Sequence, residues 1–242
     1  MFEWTPDVIR FRVDAVEYGG FDRAIAERIL PHLPQDAHVC DAGCGLGYLS
    51  LALARHCARV TAVDVSPEAL NVLRKNAQAL GVINLDIAQG DLFAMRPAEK
   101  YDAMVFCFFG RVDETLRAVK AQCGGKAFLI KRNWATHRFS LTDRPVERFT
   151  FLKTCAELDE AGVKHHVEAF PLEMGQPFRS LSDAALFFQI FGREDAARVS
   201  PEDVVDRLAE TGSREFPYYL PMARPLGMIV LDAGEIPDTI ET

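Results

Sequence analysis

At 242 residues and 27.0 kDa the chain can form one α/β domain with insertions or two small domains. A content of 49% hydrophobic and 26% charged residues suits a globular protein, and no segment approaches an uninterrupted transmembrane span. The formal net charge of −8 and pI of about 5.3 weigh against a general nucleic-acid binder, which carries a basic face. The opening residues MFEWTPDVIRF lack the basic start and apolar core of a signal peptide. Six cysteines, at 40, 44, 57, 107, 123 and 155, form no CxxC pair and no zinc spacing. Reduced core cysteines in a cytoplasmic protein are therefore expected.

In chain order, 21-FDRAIAERILPHL-33 places Ile25, Ile29, Leu30 and Leu33 at helical spacing before Pro34. Strands are predicted at 38–42 and 59–65, with a helix at 46–57 between them. The next helix, 66-SPEALNVLRKNAQALG-81, carries its own punctuation: Ser66 as N-cap, Pro67 at the first position and Gly81 as the stop. A strand and turn are predicted at 84–92 and further strands at 101–109, 125–132, 163–172 and 226–234, with helices near 112–122 and 147–161. Such alternation implies parallel βαβ units whose strands are buried on both faces. Right-handed crossovers then align the C-terminal strand ends along one edge, where ligands of these sheets bind.

Residues 173–225 exceed the usual connection of roughly 2–6 residues. With predicted helices at 180–192 and 200–212, they read as a lid-like insertion within a single domain. An N-terminal helical cap (1–36) and a cofactor-binding core (37–172) precede it, and the last strand and tail (226–242) come after it.

The stretch 39-VCDAGCGLGYLSLALA-54 puts glycine at three alternate positions between a strand and a helix. Glycine loses the most backbone freedom on folding, so three together imply unusual dihedrals or a ligand that leaves no room for Cβ atoms. A Walker A loop is excluded, because no lysine follows Gly47. A dinucleotide fingerprint fits Gly43 and Gly45, but its third glycine position falls on Tyr48. The motif is D-x-G-x-G-x-G.

Together, VCDAGCGLGYL, AVDVSPEAL and AQGDL resemble the first three motifs of class I S-adenosylmethionine-dependent methyltransferases, over roughly residues 38–132. The resemblance implies a Rossmann-like three-layer α/β/α sandwich whose mostly parallel seven-stranded sheet ends on an antiparallel strand. It also implies S-adenosyl-L-methionine as cofactor. Gly43, Gly45 and Gly47 then admit its methionine and ribose portions, and Asp41 orients the amino group unless it only bonds nearby turn amides. Asp64, 17 residues beyond Gly47 at a strand end, can accept both ribose hydroxyls. Asp91 resembles the acid that accepts the adenine amino group, a plain turn residue being the alternative. Val65 and Leu92 would flank the adenine or pack in the core, and Cys44 and Cys107 complete the cofactor set. Tyr18 could close over the methionine tail, with helix packing as the other reading.

Methyl transfer is an in-line displacement that needs alignment and exclusion of water, and a base only if the nucleophile holds its proton. Members acting on amide or exocyclic amino nitrogens carry an [ND]PP[YFW]-like turn after the fourth strand. This chain has 106-FCFFG-110 there, which counts against adenine-N6, cytosine-N4 and glutamine-N5 acceptors. Phe108 and Phe109 could line an apolar or aromatic pocket instead. In 131-KRNWATHRFSLTDRPVER-148, five basic residues (Lys131, Arg132, Arg138, Arg144, Arg148) outnumber the acids Asp143 and Glu147, suggesting contact with an anionic acceptor. His137 is the candidate base. Tyr218 and Tyr219 in 216-FPYYLP-221 are candidates for a rigid pocket wall. His165 and His166, adjacent in a strand, point to opposite faces, and no metal site is expected. The expected function is methyl transfer to a small, anionic or aromatic acceptor, with no membrane partner. An RNA or protein methyltransferase and a non-catalytic cofactor-binding module are the alternatives, and a dehydrogenase is a distant one.

Overall fold

The apolar run 38–42 becomes β1 (His38–Ala42), the strand about which the main sheet of the computed structural model is organised. The structure describes residues 3–136, 139, 145, 150–192 and 199–237. They form two compact units. One comprises Asp22–Asn133, Arg148–Phe170 and Leu226–Thr242; the other comprises Met1–Phe21, Trp134–Glu147 and Pro171–Pro225.

The larger unit holds most of the main sheet. Its further strands are β2 (Arg59–Asp64), β3 (Leu85–Gln89), β4 (Tyr101–Cys107), β5 (Cys123–Arg132), β6 (His165–Glu173) and β10 (Ala223–Asp232). The spatial order is β3-β2-β1-β4-β5-β10-β6. β1 pairs in parallel with β2 and β4, β4 with β5, while β10 runs antiparallel to β5. After β1 the chain builds outward through β2 and β3, then returns to place β4 on β1's other side. That reversal leaves a crevice at the C-terminal ends of β1 and β4.

Both sheet faces are covered, which explains the uninterrupted apolar runs. On one face Met104, Phe106, Leu129 and Ile229 pack with Leu116 of α5 (Val112–Gln122) and Leu158 of α6 (Phe151–Glu160). On another, Ala62 packs with Leu51 of α3 (Tyr48–Ala54) and with Leu70 and Leu73 of α4 (Pro67–Ala79). The punctuation of α4 acts as its chemistry dictates: Ser66 Oγ accepts from Ala69 N at 3.2 Å, and Gly81 is left-handed at φ +65°. The helix expected over 21–33 is α2 (Phe21–Ile29) followed by a 3₁₀ turn at Leu30–His32 around Pro31.

The smaller unit begins with α1 (Pro6–Gly19), capped by Thr5 Oγ1, which accepts from Val8 N at 3.3 Å, and ended by Gly20 at φ +66°. Phe11 of α1 and Phe187 of α7 (Leu181–Phe191) meet edge to face at 5.1 Å, with Phe139 and Phe178 completing the apolar cluster. Asp14, buried on α1, is gripped through both oxygens by Arg179, with Arg10 3.8 Å away. A second sheet, β7 (Gln176–Phe178), β9 (Tyr218–Leu220) and β8 (Ala209–Glu210), is antiparallel in the order β7-β9-β8.

The helix expected over 200–212 is largely replaced. Ser200 and Asp203 form a capping box that starts α8 (Pro201–Val204), but the chain then tightens to a 3₁₀ turn at Val205–Arg207 and pairs as β8. Two successive β-branched valines and the ladder bonds to β9 outweigh the Ser-Pro start signal. No helix among the described residues is long and apolar enough to cross a membrane.

Candidate functional site

The glycine turn leaves β1 with Gly43, Gly45 and Gly47 all left-handed, at φ +67°, +55° and +73°. Residues with a Cβ pay about 1–2 kcal/mol for that conformation, which explains why glycine recurs. A Cβ at Gly43 would also stand 2.5 Å from the Phe109 ring.

Asp64, partly buried at the end of β2, ties this turn to its neighbour. One carboxylate oxygen accepts from Gly45 N at 2.8 Å and the other from Ser66 N at 2.9 Å. Each oxygen keeps a further lone pair for an incoming hydroxyl. Asp64 therefore braces the turn and the start of α4 while remaining a competent acceptor at the sheet's ligand edge. Asp41 lies one layer deeper and is fully buried, accepting from Ser50 Oγ at 2.5 Å. Burial pushes its carboxyl up to about 7; the Ser50 hydroxyl opposes this, and Asp22 and Asp64 add to it. Burial, reinforced by Asp41 and Asp64, also pushes the Cys44 thiol up, so it is no thiolate nucleophile.

Asp91 comes after β3, and one of its oxygens accepts from Phe93 N at 3.0 Å, the bond of an ordinary Asx turn. The two residues expected beside adenine differ: Val65 is exposed, whereas Leu92 is buried in the core. Cys107 ends β4, partly buried. The structure thus brings Asp41, the three glycines, Cys44, Asp64, Val65, Asp91, Leu92 and Cys107 onto one unit and to the C-terminal ends of β1 to β4. Tyr18 belongs to the smaller unit, where its ring lies 5.2 Å from Tyr219 and 5.9 Å from Phe216. There Tyr219 Oη donates to Glu173 at 2.7 Å. His137, and with it Arg138, Arg144 and Arg148, lies outside the described residues.

In the turn between β4 and α5, Phe108 and Phe109 line a cavity as expected, while its backbone conformation and its hold by Lys131 were not foreseen. Phe108 is the one non-glycine among the described residues with positive φ, at +55°. Phe109 stacks on Phe93 at 5.4 Å, their planes 9° apart. The turn is held from β5 by Lys131, whose buried Nζ donates to the carbonyls of Phe109 (3.0 Å) and Gly110 (3.1 Å). Burial pulls the Lys131 ammonium down to about 8. A cavity of about 250 Å³ opens here, lined by the three phenylalanines with Arg111, Glu114, Lys131 and Arg132. The signal available in the sequence was a lysine closing the apolar strand AFLI, where a charge needs a reason.

Residues 39–123 match the family model described as "Methyltransferase domain". Among curated relatives, a release factor glutamine methyltransferase from Moorella thermoacetica is 36% identical over 109 residues, covering 43% of this chain and 36% of the relative. A ubiquinone biosynthesis O-methyltransferase from Xanthomonas axonopodis is 34% identical over 116 residues, 45% of this chain and 48% of the relative. The chain thus spans between a third and a half of these two curated relatives. Among solved structures, magnesium protoporphyrin IX methyltransferase from Synechocystis, crystallised with bound S-adenosylhomocysteine, shares the fold at a TM-score of 0.51. It is 15% identical, with 95% of this chain and 89% of that one covered.

Proposed function

We propose that this chain, whose residues 39–123 match a methyltransferase domain, is a class I S-adenosylmethionine-dependent methyltransferase that transfers a methyl group to a small molecule. The cofactor of that family, when bound, supplies a methyl group on a cationic sulfonium. The observation that carries the proposal is the turn braced by Asp64: a Cβ-free backbone beside a carboxylate with spare lone pairs at the sheet's switch point. Asp64 would accept the ribose hydroxyls, Asp91 the adenine amino group, and exposed Val65 would cover one face of the base. Gly43, Gly45 and Gly47, with Cys44, would let the backbone approach the sugar and methionine. Asp41, poised near neutrality behind the turn, would balance the ammonium of the methionine portion.

The small-molecule reading draws on the turn after β4. Its side chains are phenylalanine, with no carboxamide to hold an amide N–H, and its Phe109 and Gly110 carbonyls already accept from Lys131. That disfavours the amide chemistry in the name of the Moorella relative and agrees better with the O-methyltransferase likeness. Incubation of the protein with S-[methyl-³H]adenosylmethionine and fractionated cell extract tests the proposal. Label in the low-molecular-weight fraction is expected. Label in protein or RNA favours the macromolecular alternative, and cofactor binding without transfer to any fraction favours a non-catalytic module.

A further inference from the structure

The cavity at the ends of β4 and β5 has two unlike parts. Its walls are Phe93, Phe108 and Phe109, with Phe93 and Phe109 nearly parallel. Its volume of about 250 Å³ is enough for one substituted ring, since a dry cavity of about 150 Å³ takes up benzene. Lys131, 2% exposed, lines the cavity as well. Two of the three ammonium N–H bonds are spent on neutral carbonyls, which leaves one donor. Among the described residues no carboxylate lies within ion-pair distance of Nζ. Buried charges are ordinarily paired, so among the described residues this one lacks the counter-ion its burial calls for.

We propose that this cavity is the acceptor subsite, taking a planar aromatic ring that carries a carboxylate, with Lys131 as the counter-charge that sets this specificity. The proposal rests on the methyl-transfer reading above and names the acceptor's class. Arg132 and Arg111, the latter also paired with Asp113 at 3.2 Å, line the same cavity together with the acid Glu114. The groups acting on Lys131 are Cys107 of β4 and Glu157 of α6, which favour its charge, and Arg132 of β5, which opposes it; desolvation outweighs all three. A carboxylate arriving beside it would restore the charged form, so binding should take up a proton on the alkaline side of neutrality.

The test uses the full chain saturated with S-adenosylhomocysteine and three probes: benzoate, its neutral isostere benzamide, and the non-planar cyclohexanecarboxylate. Calorimetry or ligand-observed NMR gives their affinities. At pH 7 benzoate should bind about tenfold more tightly than benzamide. That preference should shrink severalfold by pH 10 in the wild type, remain in Lys131→Arg and vanish in Lys131→Met. Cyclohexanecarboxylate should bind more weakly than benzoate. Equal binding of benzoate and benzamide, a preference that ignores pH, or a preference kept by Lys131→Met overturns the proposal. Should Lys131→Met fail to fold, the wild-type pH series decides alone. Failure to take up S-adenosylhomocysteine in the first place would instead remove the underlying methyl-transfer reading.

Discussion

Gly47→Ala is the most informative perturbation of the turn, because two separable penalties meet there. The first is conformational: φ of +73° costs a non-glycine residue about 1–2 kcal/mol, offset by about 0.4–1 kcal/mol from a stiffer unfolded chain. The second is steric: the new methyl would stand 2.3 Å from Leu73 Cδ1, and Leu73 is fully buried. Overpacking of that kind costs about 1–3 kcal/mol, for a combined destabilisation of roughly 1–5 kcal/mol. Gly81 supplies the control, since its φ is +65° but a Cβ there meets nothing within 4 Å. Gly81→Ala should therefore cost only about 1 kcal/mol. Native-state hydrogen exchange at amides of β1 and α4 reports the larger unit alone. In a Leu73→Ala background the Gly47→Ala penalty should fall to the Gly81 value. Equal penalties at the two glycines, or an undiminished penalty in that background, would refute the steric half of the reasoning.

Buried charges give three further expected outcomes. Asp41 has a folded-state carboxyl raised to about 7, so the folded protein binds the extra proton and stability should decline as pH rises from about 4 to 7. The decline is at most about 4 kcal/mol, and Asp41→Asn should flatten it in denaturant titrations at several pH values. Lys131 has the opposite sign: with its ammonium depressed to about 8, stability should rise from about pH 8 to 10.5, and Lys131→Met should abolish that rise. In the smaller unit, Arg179→Ala leaves Asp14 buried with Arg10 3.8 Å away, and should cost about 1–3 kcal/mol in the same titrations. Asp14→Ala should cost less, because Arg179 is partly exposed and keeps Glu215 at 3.7 Å.

The main sheet was legible because its strands are covered on both faces and so read as apolar runs, and α4 because Ser66, Pro67 and Gly81 punctuate it. The same signals mark α1, within the helical cap expected over 1–36: Thr5-Pro6 opens a helix that buries Phe11 and Ala15 and closes at Gly20. The small sheet was not legible. Its strands are two or three residues long, too short for alternation to show, and they join residues 176–178 to 218–220 across a long separation. At the site, Asp64 and the three glycines could be read from chain order alone. Phe108 and Phe109 could be read as pocket-lining residues and Lys131 as a contact for an anion, but the positive φ of Phe108 and the carbonyls that Lys131 grips could not, because they depend on how the turn folds.

The central assignment is that Asp64 and the glycine turn hold S-adenosylmethionine, and calorimetric titration of S-adenosylhomocysteine into wild type and Asp64→Ala tests it most directly. Wild type should bind, and the variant, its fold verified by circular dichroism, should lose about 100-fold in affinity, since two hydrogen bonds to a charged acceptor disappear. Absence of binding by the wild type, or equal affinity in the variant, would contradict it.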